Sequence, residues 1–444
     1  MARNSASGFI RRRVLRLSAI PRDLDSVIHI DAKNEIDPRD MGLRRVDLDR
    51  TWDQVIKLYR TGVHPAITIN LRYQGQVIMA RSIGHARGNG PNDGPGEGPE
   101  TSRVVATPDT PMCLFSASKA ITALLMHMLA EDGLIDLMDP VIVYLPEFGR
   151  KGKERITIHQ LLSHRGGIPG LPPNVPLDLL WDEEKTWELL CDAEPIITDG
   201  SKLAYHAVTG GFVLGRILHE VTGADINAYI DRKIRRPMRM KTFTYGIQPE
   251  QHGELALNYA TGPRQGPLLG VAIRRALGTD MESLEAITND PRFLQAVIPS
   301  GNLYGTAEEV SAFFQMMLNG GTWGRRRICR PETIAAAVAE VGQRSFDRIL
   351  LLPMRYSAGM MLGDEPFGLW GPRSRQAFGH VGLINKLAWA DPQRELSAAI
   401  LTSGMLLVAH HLLPLAKLVR SIGNLVPPAP GVGPEPIESL RSST

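Results

Sequence analysis

Strand-forming segments occur near both ends of the chain, and a long helix-rich region separates them. Ala66–Tyr73 and Gln76–Ser82 are rich in strand-forming residues and are joined by Gln74 and Gly75, which predicts a β-hairpin. Strand-like runs return only between residues 373 and 402. Strands from distant parts of a chain can share one sheet, so we expect the helical region to be inserted into it. The sequence therefore predicts an α+β fold.

Helical periodicity dominates the region between these strands. The most regular pattern covers Ser116–Asp132, where leucine and methionine recur three or four positions apart and Gly133 follows the expected C-terminus. Thr306 and Glu309 have the spacing of a capping box, which predicts a helix to about Leu318. Three more helices are predicted, at Leu48–Thr61, Ile158–Leu162 and Thr209–Thr222.

Composition divides the chain into three parts. Residues 1–45 look like an arm, because they are basic at the start and show no extended apolar pattern. Residues 46–425 are expected to form the folded domain, with a helical subdomain at about 115–290. Residues 86–104 are rich in glycine and proline, which predicts a surface loop. The tail at 426–444 has the same bias and is predicted to be disordered.

Charge and cysteine content exclude several classes of protein. The net charge is +3 and 22% of the residues are charged, which gives no reason to expect nucleic acid binding. Cys113, Cys191 and Cys329 are odd in number and far apart, so neither a disulfide framework nor a zinc site is predicted.

The first twenty residues bear on cellular location. They lack the apolar core of a standard signal peptide, and no segment of the chain reaches transmembrane length, so we expect a cytoplasmic protein. Ile10, Val14 and Leu17 would share one helical face between arginines. That pattern permits weak contact with an anionic membrane, but a solvated arm or a helix on the protein's own surface is favoured. The oligomeric state is left open.

The segment that carries chemistry is Ser116-Ala117-Ser118-Lys119, at the start of the longest predicted helix. A serine hydroxyl needs a base to become a nucleophile. Residues three apart on a helix lie on one face, so Lys119 can reach Ser116, and a buried lysine can lose its proton and act as that base. The helix N-terminus also offers free N–H groups to an oxyanion.

In this setting the resemblance to a known family is clear. Residues 107–141, TPDTPMCLFSASKAITALLMHMLAEDGLIDLMDPV, resemble the nucleophile region of the serine β-lactamase superfamily. Class C β-lactamases and the related family VIII-type carboxylesterases are the nearer match. The resemblance spans residues 46–425 and implies a β-lactamase/transpeptidase-like fold, with an antiparallel sheet flanked by helices. Four further segments match later elements in order, at residues 156–170, 202–223, 298–318 and 378–392.

The resemblance also implies roles for individual residues. Ser116 takes the place of the nucleophile and Lys119 that of its base, while Tyr205 matches the family tyrosine that moves protons. His380 stands where β-lactamases have the lysine of Lys-Thr-Gly, with Gly382 as the glycine. It would hydrogen-bond Tyr205 or a substrate oxygen. The N–H of Leu383, with that of Ser116, would form the oxyanion hole.

Two departures from the family pattern bear on substrate. Ala207 replaces the asparagine expected after Tyr205, and His380-Val381 replaces Lys-Thr. Both changes remove polar anchors for a β-lactam and leave a more apolar pocket. We therefore expect a serine hydrolase that cleaves carboxylic esters of small molecules through an acyl-enzyme, without cofactor or metal.

Three alternatives stay open: a β-lactamase or D-amino peptidase, an acyltransferase that uses the same residues, and a non-catalytic binding protein that keeps the fold. Ser300-Gly301-Asn302 resembles a Ser-Asp-Asn motif, but its neighbours place it on another element. Ser163 and His164 are expected to be structural.

Overall fold

A computed structural model describes residues 15–93, 102–168, 170, 175, 179, 181–197, 199–263, 279–383 and 385–429. The helices are α1 Arg45–Tyr59, α2 Ser118–Glu131, α3 Ile158–Leu162, α4 Glu183–Asp192, α5 Thr209–Thr222, α6 Ile226–Ile230, α7 Arg236–Met238, α8 Met281–Thr288, α9 Pro291–Gln295, α10 Ala307–Leu318, α11 Pro331–Val338 and α12 Leu412–Gly423.

The strands include several two-residue pairs. They are β1 Ile28–Ile30, β2 Ala66–Tyr73, β3 Gln76–Arg87, β4 Val104–Val105, β5 Met112–Cys113, β6 Thr244–Tyr245, β7 Tyr259–Ala260, β8 Leu303–Gly305, β9 Thr322–Trp323, β10 Arg326–Arg327, β11 Ser345–Asp347, β12 Leu352–Met354, β13 Met361–Leu362, β14 Phe367–Gly368, β15 Gly371–Pro372, β16 Phe378–Gly382, β17 Lys386–Asp391, β18 Leu396–Thr402 and β19 Gly404–Met405.

One antiparallel sheet draws its strands from both ends of the chain. Among the described residues its order is β1-β3-β2-β18-β17-β16-β13, with β4 paired to β3. The N-terminal hairpin β2–β3 joins the C-terminal strands where β2 pairs with β18, from Ile67 opposite Thr402 to Tyr73 opposite Leu396. The helices α2 to α11 lie between these two sets of strands along the chain. The predicted α+β architecture is confirmed.

The two faces of the sheet contact different helices, because side chains alternate along a strand. Ile67, Ile69 and Leu71 of β2 point to a core shared with the terminal helices α1 and α12. Asn70 and Arg72 point the other way and hydrogen-bond Ser311 of α10. The sheet is therefore covered on both faces, and its apolar residues are buried.

Helix α2 carries the predicted lysine and lies in the larger core. Its residues are buried on nearly every side, as expected for a helix that is apolar all round. Thr122 of α2 hydrogen-bonds the carbonyl of Pro299, and the N–H of Leu303 donates to Ser118 at 3.0 Å. These contacts hold the N-terminal end of α2 against the segment that enters β8.

Part of the segment predicted to be an N-terminal arm contacts the main sheet. β1 pairs with β3 at the edge of the main sheet, and Glu35 hydrogen-bonds Arg81 of β3. The residues of β1 are too few to show an alternating pattern, which is why the sequence did not reveal this strand. The amphipathic segment with Ile10 and Val14 lies outside the described residues. The predicted domain boundaries stay predictions.

Other expectations differ at element ends. β3 continues to Arg87, and the predicted surface loop ends in β4, which pairs with β3; residues 94–101 lie outside the description. Within the strand-like region predicted at 373–402, β16 ends at Gly382 and β17 begins only at Lys386, and Leu383 lies in a turn after β16. Of the predicted disordered tail, residues 426–429 are described, and the Ala429 N–H donates to the Gln393 carbonyl. The remainder lies outside the description.

No helix in the described part of the chain is long and apolar enough to cross a membrane. The expected cytoplasmic location stays a prediction.

Candidate active site

Ser116 lies in a 3₁₀ turn, Phe115–Ala117, which leads directly into α2. The sequence predicted that the helix begins at Ser116, two residues before the α-helix itself begins at Ser118. Leu114, just before the turn, donates its N–H to the carbonyl of Leu303 in β8 at 2.8 Å. Phe115 has a φ of 48°, which is unfavourable for a bulky side chain. Ser116 is half-buried.

The side-chain nitrogen of Lys119 lies one turn beyond the serine and has three oxygen partners. Its Nζ is 3.3 Å from the Ser116 Oγ, 2.6 Å from the carbonyl of Ala207 and 2.9 Å from the carbonyl of Ser300. A neutral amine has two N–H donors and one lone pair. The two carbonyls accept both donors, so the lone pair faces the Ser116 hydroxyl. This geometry suits removal of the serine proton.

The protonation of Lys119 depends on its surroundings. Burial lowers the pKa of Lys119 to about 7, because the charged form loses its hydration. All three oxygen partners are uncharged and offer no ionic compensation. A large fraction of the side chain is therefore neutral at physiological pH.

Tyr205 lies beside this pair, with its ring centre 5.0 Å from the Lys119 Nζ. Burial raises the pKa of Tyr205 far above its usual value; contact with the Ser116 side chain offsets part of this, and the charge of Asp347 adds to it. Tyr205 thus keeps its proton while Lys119 loses its own. The two side chains have distinct protonation states, which is what a base and a proton carrier require.

His380 is brought to the same cluster, but not with the hydrogen bonds expected from the sequence. Its ring is completely buried, with its centre 6.2 Å from that of Tyr205. Nδ1 lies 2.9 Å from the Val381 carbonyl, and a carbonyl only accepts, so Nδ1 carries the proton. Nε2 has no partner. The expected bond to Tyr205 is therefore absent, and the free nitrogen cannot donate to a substrate carbonyl.

The charge state of His380 also differs from that of a lysine. Burial, followed by the charge of Lys119, lowers the pKa of His380 to about 3. The position that carries an ammonium in the Lys-Thr-Gly pattern is thus neutral here. It supplies no positive charge for a substrate carboxylate.

Gly382 ends β16 directly against the nucleophile turn. A Cβ at this position would lie 2.0 Å from the carbonyl oxygen of Leu114 and 3.4 Å from the Ala117 nitrogen. Leu383 follows with a φ of 42°. Two non-glycine residues with positive φ, Phe115 and Leu383, thus lie next to the contact between β16 and the nucleophile turn. Strained backbone of this kind clusters at functional sites.

Substituting Gly382 with alanine is expected to lower the rate of Ser116 acylation about a hundredfold. The new methyl group would meet two backbone atoms, which cannot rotate away as a side chain can, so β16 must shift relative to the nucleophile turn. Initial rates of ester hydrolysis and of covalent labelling would measure this. Gly253→Ala is the matched control, since no atom lies within 4 Å of its added Cβ. Gly382→Ala protein with wild-type rates would contradict the close packing of β16 on the turn.

The sequence did not predict three contributions to the site. The Ser300 carbonyl binds Lys119, whereas the Ser300 hydroxyl donates to Val208. The sequence analysis had set Ser300-Gly301-Asn302 aside as part of another element, yet the Ser300 main chain contacts Lys119. His164 and Asp347 contact the segment that carries Tyr205. The only sequence signal was that His164 falls in a family-like segment.

The described cysteines are free and buried. No group of three or more histidine, cysteine, aspartate or glutamate side chains is placed to bind a metal ion in the described part of the chain.

Comparison with known proteins identifies the family of this chain. The model of the Beta-lactamase family matches residues 53–417. The esterase/beta-lactamase LipL of Mycobacterium tuberculosis is 29% identical over 310 residues, which cover 67% of this chain and 70% of LipL.

Solved structures share the fold. A penicillin-binding protein homologue from Caulobacter crescentus superposes with a TM-score of 0.70 and 26% identity, covering 85% of this chain and 98% of that one. A family VIII carboxylesterase gives the same TM-score and coverages at 24% identity.

The fold and these relatives place the protein among the serine hydrolases of the β-lactamase fold. The chain belongs to the β-lactamase family.

Proposed function

We propose that this protein is a carboxylesterase that works through an acyl-enzyme on Ser116. The observation that carries the proposal is the position of the Lys119 amine, which is hydrogen-bonded to two carbonyls and faces the Ser116 oxygen. Ser116 Oγ attacks the ester carbonyl, and its proton passes to Lys119. The tetrahedral oxyanion is held by the N–H groups of Ser116 and Leu383.

The second half of acylation needs a proton on the leaving alcohol. Tyr205 donates it and is reprotonated by Lys119, so the C–O bond breaks with no net proton loss. Water then attacks the acyl-enzyme, giving up a proton through the same pair, and Ser116 is released with the carboxylic acid. The high pKa of Tyr205 and the low pKa of Lys119 support this division, because the tyrosine is a proton carrier and the lysine a base.

Two features favour esters over β-lactams. The side chain at Ala207 has no amide, although its carbonyl still binds Lys119. The neutral, buried His380 has no charge for the carboxylate of a β-lactam or peptide. A neutral ester needs only the nucleophile, the oxyanion hole and an apolar wall. The name of LipL contains both esterase and beta-lactamase, and a family VIII carboxylesterase shares the fold, so these relatives include enzymes named for ester cleavage.

Substrate preference tests the proposal directly. We expect turnover of p-nitrophenyl esters from acetate to hexanoate, and nitrocefin hydrolysis with a kcat/KM lower by about a thousandfold, because a site without its polar anchors loses several kcal/mol of discrimination. Initial rates on both substrate classes give the ratio. Ala207→Asn is a useful companion, since it restores the amide but not the charge and should not produce an efficient β-lactamase.

Equal activity on nitrocefin and the esters would replace this proposal with the β-lactamase alternative. An acyltransferase would use the same acyl-enzyme but pass the acyl group to an alcohol. Formation of a new ester when an alcohol is added to the reaction would favour that alternative. A protein that neither turns over these substrates nor reacts with a fluorophosphonate would be a binding protein.

A further inference from the structure

The peptide N–H groups of the three successive residues 204–206 all donate hydrogen bonds to two residues, His164 and Asp347. Ala204 donates to the His164 carbonyl at 3.0 Å, and His206 donates to the His164 Nδ1 at 3.2 Å. Between them, Tyr205 donates to the Asp347 Oδ1 at 3.2 Å. A segment without regular secondary structure is thus hydrogen-bonded at every residue next to the catalytic hydroxyl.

Asp347 is suited to hold a backbone segment. It is completely buried at the end of β11. Its Oδ1 also accepts the N–H groups of Ile349 and Leu350, at 2.9 and 3.0 Å, and its Oδ2 accepts the Tyr356 hydroxyl at 3.4 Å. A buried carboxylate is stable only when hydrogen bonds replace its hydration. The carboxylate therefore joins the β11–β12 hairpin to the Tyr205 peptide.

His164 acts from the opposite side. It follows α3 with a φ of 59°, a conformation that asparagine tolerates better than most residues. Its ring centre is 4.6 Å from that of Tyr205 and 5.0 Å from that of Tyr356. Because Nδ1 accepts from His206, the ring is the neutral Nε2–H form. Burial, reinforced by His206 and Lys119, holds the pKa of His164 well below its usual value.

We propose that Asp347 and His164 are positioning residues for proton transfer, which keep the Tyr205 hydroxyl at Ser116 by holding residues 204–206. Neither touches the reacting atoms. Asp347 has a second effect, because its negative charge raises the pKa of Tyr205 and keeps the hydroxyl protonated. This role rests on the proposed function of Tyr205.

The test separates the acceptor from the charge. Asp347→Asn keeps an oxygen for the Tyr205 N–H, and its amide can donate to Tyr356, so we expect activity within about tenfold of wild type. Asp347→Ala removes the acceptor, and kcat should fall about a hundredfold with KM changed little, since a small displacement of a proton carrier slows chemistry more than binding. The readouts are ester kinetics and the rate at which a fluorophosphonate labels Ser116.

His164 gives an independent arm in case Asp347→Ala does not fold. His164→Asn keeps an acceptor and tolerates the positive φ, whereas His164→Ala does not accept a hydrogen bond. The asparagine variant should retain most of the labelling rate, and the alanine variant should lose about tenfold or more.

Asp391→Ala controls for lost stability. Asp391 is also a buried carboxylate, but it lies at the C-terminal end of β17 and pairs with Arg394. The positioning role is overturned if Asp347→Ala labels as fast as wild type, or if Asp391→Ala loses as much kcat. It is also overturned if Asp347→Asn is as impaired as the alanine variant. Wild-type protein that fails to label would instead remove the proposed function itself.

Discussion

Replacing Ser116 with alanine is expected to abolish covalent labelling and to lower ester hydrolysis by roughly a thousandfold or more, as loss of a nucleophile does. Ser116 is half-buried, so the folded structure should persist without its hydroxyl. Ester hydrolysis, fluorophosphonate labelling and the thermal unfolding midpoint measure the three expectations. The labelled peptide of wild-type protein, identified by mass spectrometry, should contain Ser116.

Ser118 is the matched control for this experiment. It lies two residues further on and is completely buried, with its Oγ accepting the Leu303 N–H. Ser118→Ala should lose stability by about 1–3 kcal/mol, because a buried N–H loses its acceptor, yet it should still be labelled. An adduct on any residue other than Ser116 would show that the nucleophile has been misassigned.

Lys119→Ala is expected to lower kcat/KM about a hundredfold or more, which is the scale of a general base. Lys119→Arg should not restore activity, because arginine stays protonated. For wild type, kcat/KM on a neutral ester should rise with pH through about 7 and then level off. The direction follows from the lowered pKa, since only the deprotonated lysine accepts the serine proton, and that form predominates above the pKa. A pH–rate profile checks this.

Lys153 provides a control lysine with similar surroundings. It is completely buried and donates to the carbonyls of Arg150, Cys191 and Ala193, but it faces no serine. Lys153→Ala should lose stability and keep the wild-type pH dependence. An active Lys119→Arg enzyme, or a wild-type profile without a rise near pH 7, would rule out Lys119 as the base.

Local sequence patterns predicted the elements that carry these residues. Ile158–Leu162 and Thr209–Thr222 match their helices at both ends, and the Thr306–Glu309 capping box is present. Such patterns succeed because caps and helical spacing depend on residues close together in the chain. The pattern failed for β1 and for the start of β17, where pairing with a distant strand and a turn with positive φ decided the structure.

The sequence by itself determined that Ser116 and Lys119 are neighbours, since a separation of three residues at a helix start brings two side chains together wherever that helix lies. The order of its motifs also predicted the family, which is confirmed, and a proton-carrying role for Tyr205, which stays a prediction. Only the tertiary structure decided the state of these groups. The carbonyls that orient the lysine belong to Ala207 and Ser300, and the burial that lowers the pKa of Lys119 comes from the surrounding core. Backbone oxygens are common to all residues, so no motif marks them, and desolvation arises only when distant segments exclude water together.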